Sequence, residues 1–65
     1  MSTYKELVAK YGYIEEYQIG KNEDGETVMV SIDKDCACIR TYQLNGFVRI
    51  MIYHSDGTIE ELYEH

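Results

Sequence analysis

Apolar residues alternate with polar ones along most of this chain, with the two-residue period of half-buried β-strands. The alternation is clearest on either side of Asn45-Gly46. An Asn-Gly pair between alternating runs indicates a hairpin, because a two-residue type I′ turn needs positive φ at both central residues. We therefore predict that Leu44 lies opposite Phe47 and that this pairing sets the register of residues 36–53.

This register divides the side chains of the two strands between two faces of a sheet. One face is predicted to form the core, with apolar partners from the neighbouring strands. Its members are Val28, Val30, Ile32, Ala37, Ile39, Thr41, Val48, Ile50, Ile52 and Ile59. The other face is predicted to hold Cys38, Arg40, Tyr42, Arg49, Met51 and Tyr53.

The N-terminal segment has the pattern of a short amphipathic helix. Thr3 followed three residues later by Glu6 is a capping box, with Ser2 as an alternative cap, and Gly12 suits the C-terminal end. The apolar stripe at helical spacing consists of Tyr4, Leu7, Val8 and Tyr11. A helix this short is not stable alone, so we expect it to pack on the sheet.

Two strands are predicted before the central hairpin, at residues 13–19 and 26–32. The glutamates of the first strand are typical of a sheet edge, where charge blocks pairing with other chains. A two-residue loop at residues 34–35 places Ile32 opposite Ala37, which aligns the apolar sets of three strands without adjustment.

A second hairpin signal, at residues 56–57, predicts a fifth strand and places His54 opposite Ile59. Sequential hairpins give the simplest topology. The predicted fold is therefore a single α+β domain over residues 1–65, with a short N-terminal helix packed on one face of a five-stranded antiparallel meander in the order 1-2-3-4-5.

Twelve acidic and six basic residues give a formal charge of −6. That charge disfavours direct binding to nucleic acid or to an anionic membrane. The chain has no apolar run long enough to span a membrane and no basic-then-apolar signal pattern. Two cysteines without a disulfide framework suit a reducing compartment. We therefore expect a cytoplasmic protein.

Cys36, Cys38 and His54 are the candidates for metal binding or nucleophilic catalysis. Zinc needs four ligands, and a cysteine nucleophile needs a nearby base. The predicted register places His54 beside Ala37, on the opposite face from both thiols. Arg40 could lower the pKa of a thiol, but a cation alone does not make an active site. We expect no enzymatic activity, no metal and no cofactor.

The predicted sheet face away from the helix is rich in the residue types that protein interfaces favour. Phe47 and Leu62 are expected on it, and its predicted partner-binding residues are Met29, Arg40, Tyr42, Arg49, Met51 and Tyr53. Either arginine could pair with Glu60 or with a partner. Acidic residues in the loops and in the last strand are predicted to meet a basic partner, and they are Glu23, Asp24, Asp33, Asp35 and Glu60.

These features favour a small acidic protein-binding module, an inhibitor that occupies a basic, nucleic-acid-handling surface of another protein. In size and charge the chain resembles, in kind only and without a shared motif, the small anti-defence inhibitors (anti-CRISPR or anti-restriction) of phages and mobile elements. One alternative is a structural homodimer, formed through the uncovered sheet face, or an accessory subunit without inhibitory activity. A further alternative is a small-ligand or metal-binding module.

Overall fold

The computed structural model describes residues 3–65, which form one helix and one sheet. The elements are α1 (Tyr4–Tyr11), β1 (Ile14–Lys21), β2 (Thr27–Ile32), β3 (Cys36–Tyr42), β4 (Val48–His54) and β5 (Ile59–Glu64). The strands are antiparallel and lie in the order β1-β2-β3-β4-β5. The predicted fold class, a short helix on an open meander, is confirmed. No helix in the described residues is long and apolar enough to cross a membrane.

Helix α1 begins and ends at the predicted caps. The Thr3 hydroxyl oxygen accepts the Glu6 backbone N–H at 3.2 Å. At the other end the Gly12 N–H donates to the Val8 carbonyl at 2.8 Å, and Gly12 has φ 74°. Positive φ at this position favours glycine, because it lacks a Cβ. Ser2, the alternative cap, lies outside the described residues.

The predicted apolar stripe of α1 packs on one side of the sheet. Leu7 is 5% exposed and lies against Val30, Ile32 and Ala37, which are buried in β2 and β3. The partly buried residues around this cluster are Tyr4, Val8, Tyr11, Ile14, Ile39 and Tyr53. We call this side of the sheet the helix face and the opposite side the open face.

The hairpin between β2 and β3 has the predicted register. Ile32 lies opposite Ala37, and the Asp33 N–H donates to the Cys36 carbonyl at 3.0 Å, which closes a two-residue loop. The Asp33 carboxylate also accepts the backbone N–H of Cys36 and that of the loop residue Asp35. An Asx-type turn of this kind replaces the glycine that a type I′ turn would favour.

The central hairpin differs from the prediction by one residue. Gln43 donates its N–H to the Phe47 carbonyl at 2.9 Å, and Gly46 donates to the Gln43 carbonyl at 3.1 Å. The loop therefore holds three residues, 44–46, instead of two. Gly46 has φ 94°, but Asn45 has negative φ, which excludes a type I′ turn. Type I geometry followed by a left-handed glycine is the usual three-residue hairpin loop.

The last hairpin repeats this geometry and corrects the second predicted register. His54 donates its N–H to the Thr58 carbonyl at 2.9 Å, and Gly57, with φ 97°, donates to the His54 carbonyl at 3.0 Å. Ile59 consequently lies opposite Tyr53 and not opposite His54.

A shift of one residue moves every side chain of a strand to the other face. The shift in the central hairpin exchanges the two sets of β4 side chains between the faces of the sheet. Predicted core residues that lie on the open face instead are Val48, Ile50 and Ile52. Residues predicted on the uncovered face that lie on the helix face instead are Arg49, Met51 and Tyr53. The shift in the last hairpin cancels the effect of the first one on β5. Ile59 therefore lies on the helix face and Leu62 on the open face, as predicted.

Candidate protein-binding surface

The predicted partner-binding residues do not form one surface. Met29, Arg40 and Tyr42 lie on the open face, whereas the three predicted residues of β4 lie on the helix face. Phe47 lies at the end of the sheet, where its ring centroid is 4.5 Å from that of His65. The side chains that β2 to β5 place on the open face are Thr27, Met29, Ser31, Cys36, Cys38, Arg40, Tyr42, Val48, Ile50, Ile52, His54, Glu60, Leu62 and Glu64.

Ile50 lies at the centre of the open face. It is directly opposite Arg40 on one side and Leu62 on the other, and it is only 8% exposed. The one helix of residues 3–65 lies on the opposite face. The side chains of neighbouring strands therefore shield Ile50, while the rim residues Leu62 and Tyr42 remain 46% and 40% exposed.

Arg40 forms an ion pair with Glu16 of β1. Glu16 has φ 48° and lies where the register between β1 and β2 shifts, so a bulge directs its carboxylate toward β3. The hydrogen bond to Glu16 is the main cause that raises the pKa of Arg40. The cation on this face is thus already paired within the chain.

The pairing of charges on β5 differs from the expectation for Glu60. Glu60 contacts His54, with 2.5 Å between the carboxylate oxygen and Nε2. Arg49 pairs with Glu61 at 3.0 Å on the helix face, and Tyr63 donates its hydroxyl to the same carboxylate. Neither arginine contacts Glu60. These pairs are largely exposed and contribute little to stability.

Cys36, Cys38 and His54 share the open face, contrary to the predicted separation. Cys36 lies directly opposite His54 in the β3–β4 ladder. The predicted separation of His54 from the two thiols is therefore wrong, because the shifted register places all three on one face. Within residues 3–65, however, no three His, Cys, Asp or Glu side chains are close enough to hold a metal ion.

Both thiols are less acidic than an ordinary cysteine. Burial is the main cause that raises the pKa of Cys36, with the carboxylates of Asp33 and Asp35 adding to it. Burial also raises the pKa of Cys38, although Arg40 acts in the opposite direction. The thiolate is the nucleophilic form, so these cysteines have the chemistry of structural thiols rather than reactive ones.

The predicted acidic residues lie at separate places on the sheet. Glu23 and Asp24 are in the β1–β2 loop, whereas Asp33 and Asp35 are in the β2–β3 loop at the opposite end of β2. Asp33 accepts the N–H groups of Cys36 and Asp35, and these bonds lower the pKa of its carboxyl group. Asp33 therefore has a structural role in the turn.

Two features of the open face were not predicted: the placement of Val48, Ile50 and Ile52 on it, and the Arg40–Glu16 pair. The sequence does not decide the first, because an Asn-Gly or Asp-Gly pair fits a two-residue loop as well as the three-residue loop that the structure shows at residues 23–25, 44–46 and 55–57. Nor does it indicate the second, because a bulge such as that at Glu16 depends on pairing with a neighbouring strand.

Comparison of the chain with known proteins gives no assignment. No protein-family model matches it, and neither the curated proteins nor the solved structures gave a significant match.

Proposed function

We propose that this chain is a small acidic protein-binding module that acts as an inhibitor by occupying a basic, nucleic-acid-handling surface of another protein. The open face is the proposed contact surface. The observation that carries the proposal is the apolar centre around Ile50, which no helix of the described residues covers.

The composition of this face supports a protein partner. Val48, Ile50, Ile52, Met29 and Leu62 bring aliphatic and thioether side chains together around Arg40, while Glu60 and Glu64 lie on the edge strand. Methionine and arginine are both enriched in protein interfaces relative to the rest of the surface. The paired guanidinium of Arg40 adds no isolated charge to be desolvated on contact.

The overall charge supports a basic partner. A net charge of −6 on a chain of 65 residues raises the rate of encounter with a positively charged surface. The acidic residues lie at both ends of the sheet and along β5, so the attraction acts over the whole molecule rather than at one acidic face.

The test compares a substitution on the open face with one at an exposed apolar residue on the other side of the sheet. Leu62 on the open face is 46% exposed, and Tyr17, on β1 opposite Val30 of the helix face, is 55% exposed. The tagged chain is used to capture proteins from a lysate of its source organism, and captured basic nucleic-acid enzymes are then assayed for inhibition. We expect Leu62→Gln to weaken capture and inhibition at least about tenfold, the effect of about 1.4 kcal/mol, whereas Tyr17→Gln leaves both unchanged.

Equal loss in both variants, or the absence of any basic enzyme among the captured proteins, would contradict the proposal. Binding should also weaken steeply as the salt concentration rises, because exposed charges are screened.

The second candidate function is a structural homodimer through the same face. The observation that favours it is the internal Arg40–Glu16 pair, because two open faces can then meet without an unpaired cation. A dimer held by apolar contacts should keep twice the monomer mass at high salt and should dissociate in the Leu62→Gln variant. Sedimentation equilibrium at low and high salt distinguishes this candidate from the first.

A further inference from the structure

We propose that the outer edge of β5 accepts an extended, lysine- or arginine-bearing segment of a partner protein as a sixth strand of the sheet. The inference rests on the proposed function for the sign of the partner's charge. It concerns the backbone edge of β5, a different surface from the apolar centre of the open face.

The two edges of the sheet differ in regularity. Strand β1 has two register shifts against β2, and its residue Glu16 has φ 48°. Bulges of this kind protect an edge, because they interrupt the row of backbone groups that a new strand would need. Strand β5 pairs continuously with β4 from Ile59 to Glu64, and all six of its residues are exposed. The regular edge is therefore β5.

The pattern of hydrogen bonds shows which groups of β5 point outward. His54 and Thr58 form a hydrogen-bonded pair at the start of the ladder. Hydrogen-bonded and non-hydrogen-bonded pairs alternate in an antiparallel ladder, so the N–H and C=O groups of residues 60, 62 and 64 bond to β4. Those of Ile59, Glu61 and Tyr63 point away from the sheet. This spacing matches what an added antiparallel strand uses.

The charge of β5 selects against a second copy of itself. Antiparallel pairing centred at Glu61 places that residue opposite its own copy, and pairing centred at Leu62 places Glu60 opposite Glu64. Like charges directly opposite each other destabilise a sheet. Strand β5 has no proline and no lysine, and its three glutamates repel an acidic strand and attract a basic one, so a basic segment is the one they admit.

The alternation of β5 defines a complementary partner segment. On the open face Glu60, Leu62 and Glu64 favour basic, apolar and basic residues opposite them, and Glu60 also contacts His54. On the helix face Glu61, which also contacts Arg49, lies between Ile59 and Tyr63, and this order favours a basic residue between two apolar ones. An antiparallel segment that meets both requirements reads Lys-Val-Val-Lys-Lys-Val.

The experiment is amide hydrogen exchange followed by NMR on the full chain, with this acetylated and amidated hexapeptide as the probe. We expect the exchange of the Ile59, Glu61 and Tyr63 amides to slow at least about tenfold at saturation, as new hydrogen bonds protect them. A control peptide of the same composition, Lys-Lys-Lys-Val-Val-Val, should leave them unchanged. Unchanged exchange with the first peptide, equal protection by the second, or no binding would each overturn the inference.

A pair of variants gives a second measurement. Tyr63→Pro removes an outward N–H without removing a hydrogen bond to β4, and Tyr63→Ala removes the same side chain but keeps the N–H. We expect the peptide to bind about tenfold more weakly to the proline variant than to the alanine variant, the loss of roughly one hydrogen bond. Equal affinities would overturn the inference. A partner that depends on Leu62 but leaves the three outward amides unprotected would overturn this inference and still support the proposed function.

Discussion

Replacement of Ile50 by alanine tests whether a residue on the uncovered face behaves as part of the core. The substitution removes three carbon atoms, each worth about 0.8 kcal/mol when fully buried. With Ile50 only 8% exposed, the expected loss in the free energy of unfolding is about 2 kcal/mol. The matched control is Ile59→Ala on β5, whose side chain is 45% exposed and for which the same reasoning gives about 1 kcal/mol.

Thermal and urea denaturation followed by circular dichroism measure this difference. In a domain of this size each kcal/mol lowers Tm by roughly 4–8 °C, so Ile50→Ala should unfold well below Ile59→Ala. Equal losses for the two variants would show that Ile50 is not shielded on the open face, and the reasoning from its burial would fail.

A double mutant separates the observed register from the one that the two-residue loop would give. Val8 of α1 packs against the helix face of the sheet, and Ile50 lies on the other side of the sheet. Substitutions without shared contacts are additive to within about 0.5 kcal/mol, so Val8→Ala and Ile50→Ala should add. A larger coupling energy would place Ile50 beneath the helix and contradict the three-residue loop.

Three further predictions concern the turns and the thiols. Hydrogen bonds from Thr58 to Asp56, and from Cys36 and Asp35 to Asp33, lower the pKa of both carboxyl groups. The stabilising effect of the two ionised carboxylates is complete above their unfolded pKa of about 4, and it is lost as the pH falls through their lower folded pKa. The double variant Asp33→Asn, Asp56→Asn has no carboxyl groups to protonate at these positions. Its Tm should therefore fall less between pH 4 and pH 2 than the Tm of the original chain. Gly46→Ala should destabilise the chain by about 1–2 kcal/mol in urea denaturation, because φ is 94° there while an added Cβ meets only His65, at an ordinary 3.7 Å; an unchanged midpoint would contradict the left-handed glycine. Cys36 and Cys38 should react more slowly with iodoacetamide at pH 7.5 in the folded chain than in urea, as read by mass spectrometry, and equal rates would show that burial does not raise their pKa.

The fold class followed from the sequence because several independent signals agree on it. The caps and the apolar stripe of α1 and the three turn signals each locate an element or its boundary, and none depends on the exact register. The β2–β3 register was also predictable, because the branched apolar residues Val28, Val30 and Ile32 of β2 alternate with Thr27, Met29 and Ser31 on the other side, two of which are polar. Only one register buries them.

The register of β4 was not predictable from its own residues. Its two sets are both largely apolar, with Ile50 and Ile52 on one side and Met51 and Tyr53 on the other. Hydrophobic alternation therefore does not say which set lies beneath the helix. The decision rests on whether an Asn-Gly or Asp-Gly pair occupies a two-residue or a three-residue loop, a difference in the φ of a single asparagine or aspartate.

The same loop geometry decides the chemistry of the proposed binding surface. A two-residue loop would place Arg49, Met51 and Tyr53 on the uncovered face and make it aromatic and cationic. The three-residue loop places branched aliphatic residues there and leaves Arg40 as the cation, paired with Glu16. If the proposed function is right, we expect burial of apolar area, which salt does not screen, to hold a partner at this face, while the acidic loops and β5 contribute attraction that salt does screen. Salt should accordingly act on the association rate of the complex much more than on its dissociation rate, because electrostatic steering acts before the apolar surfaces meet. Stopped-flow or surface plasmon resonance at several salt concentrations measures both rates, and a dissociation rate that rises as steeply as the association rate falls would show that charge pairs, and not the face around Ile50, hold the complex together.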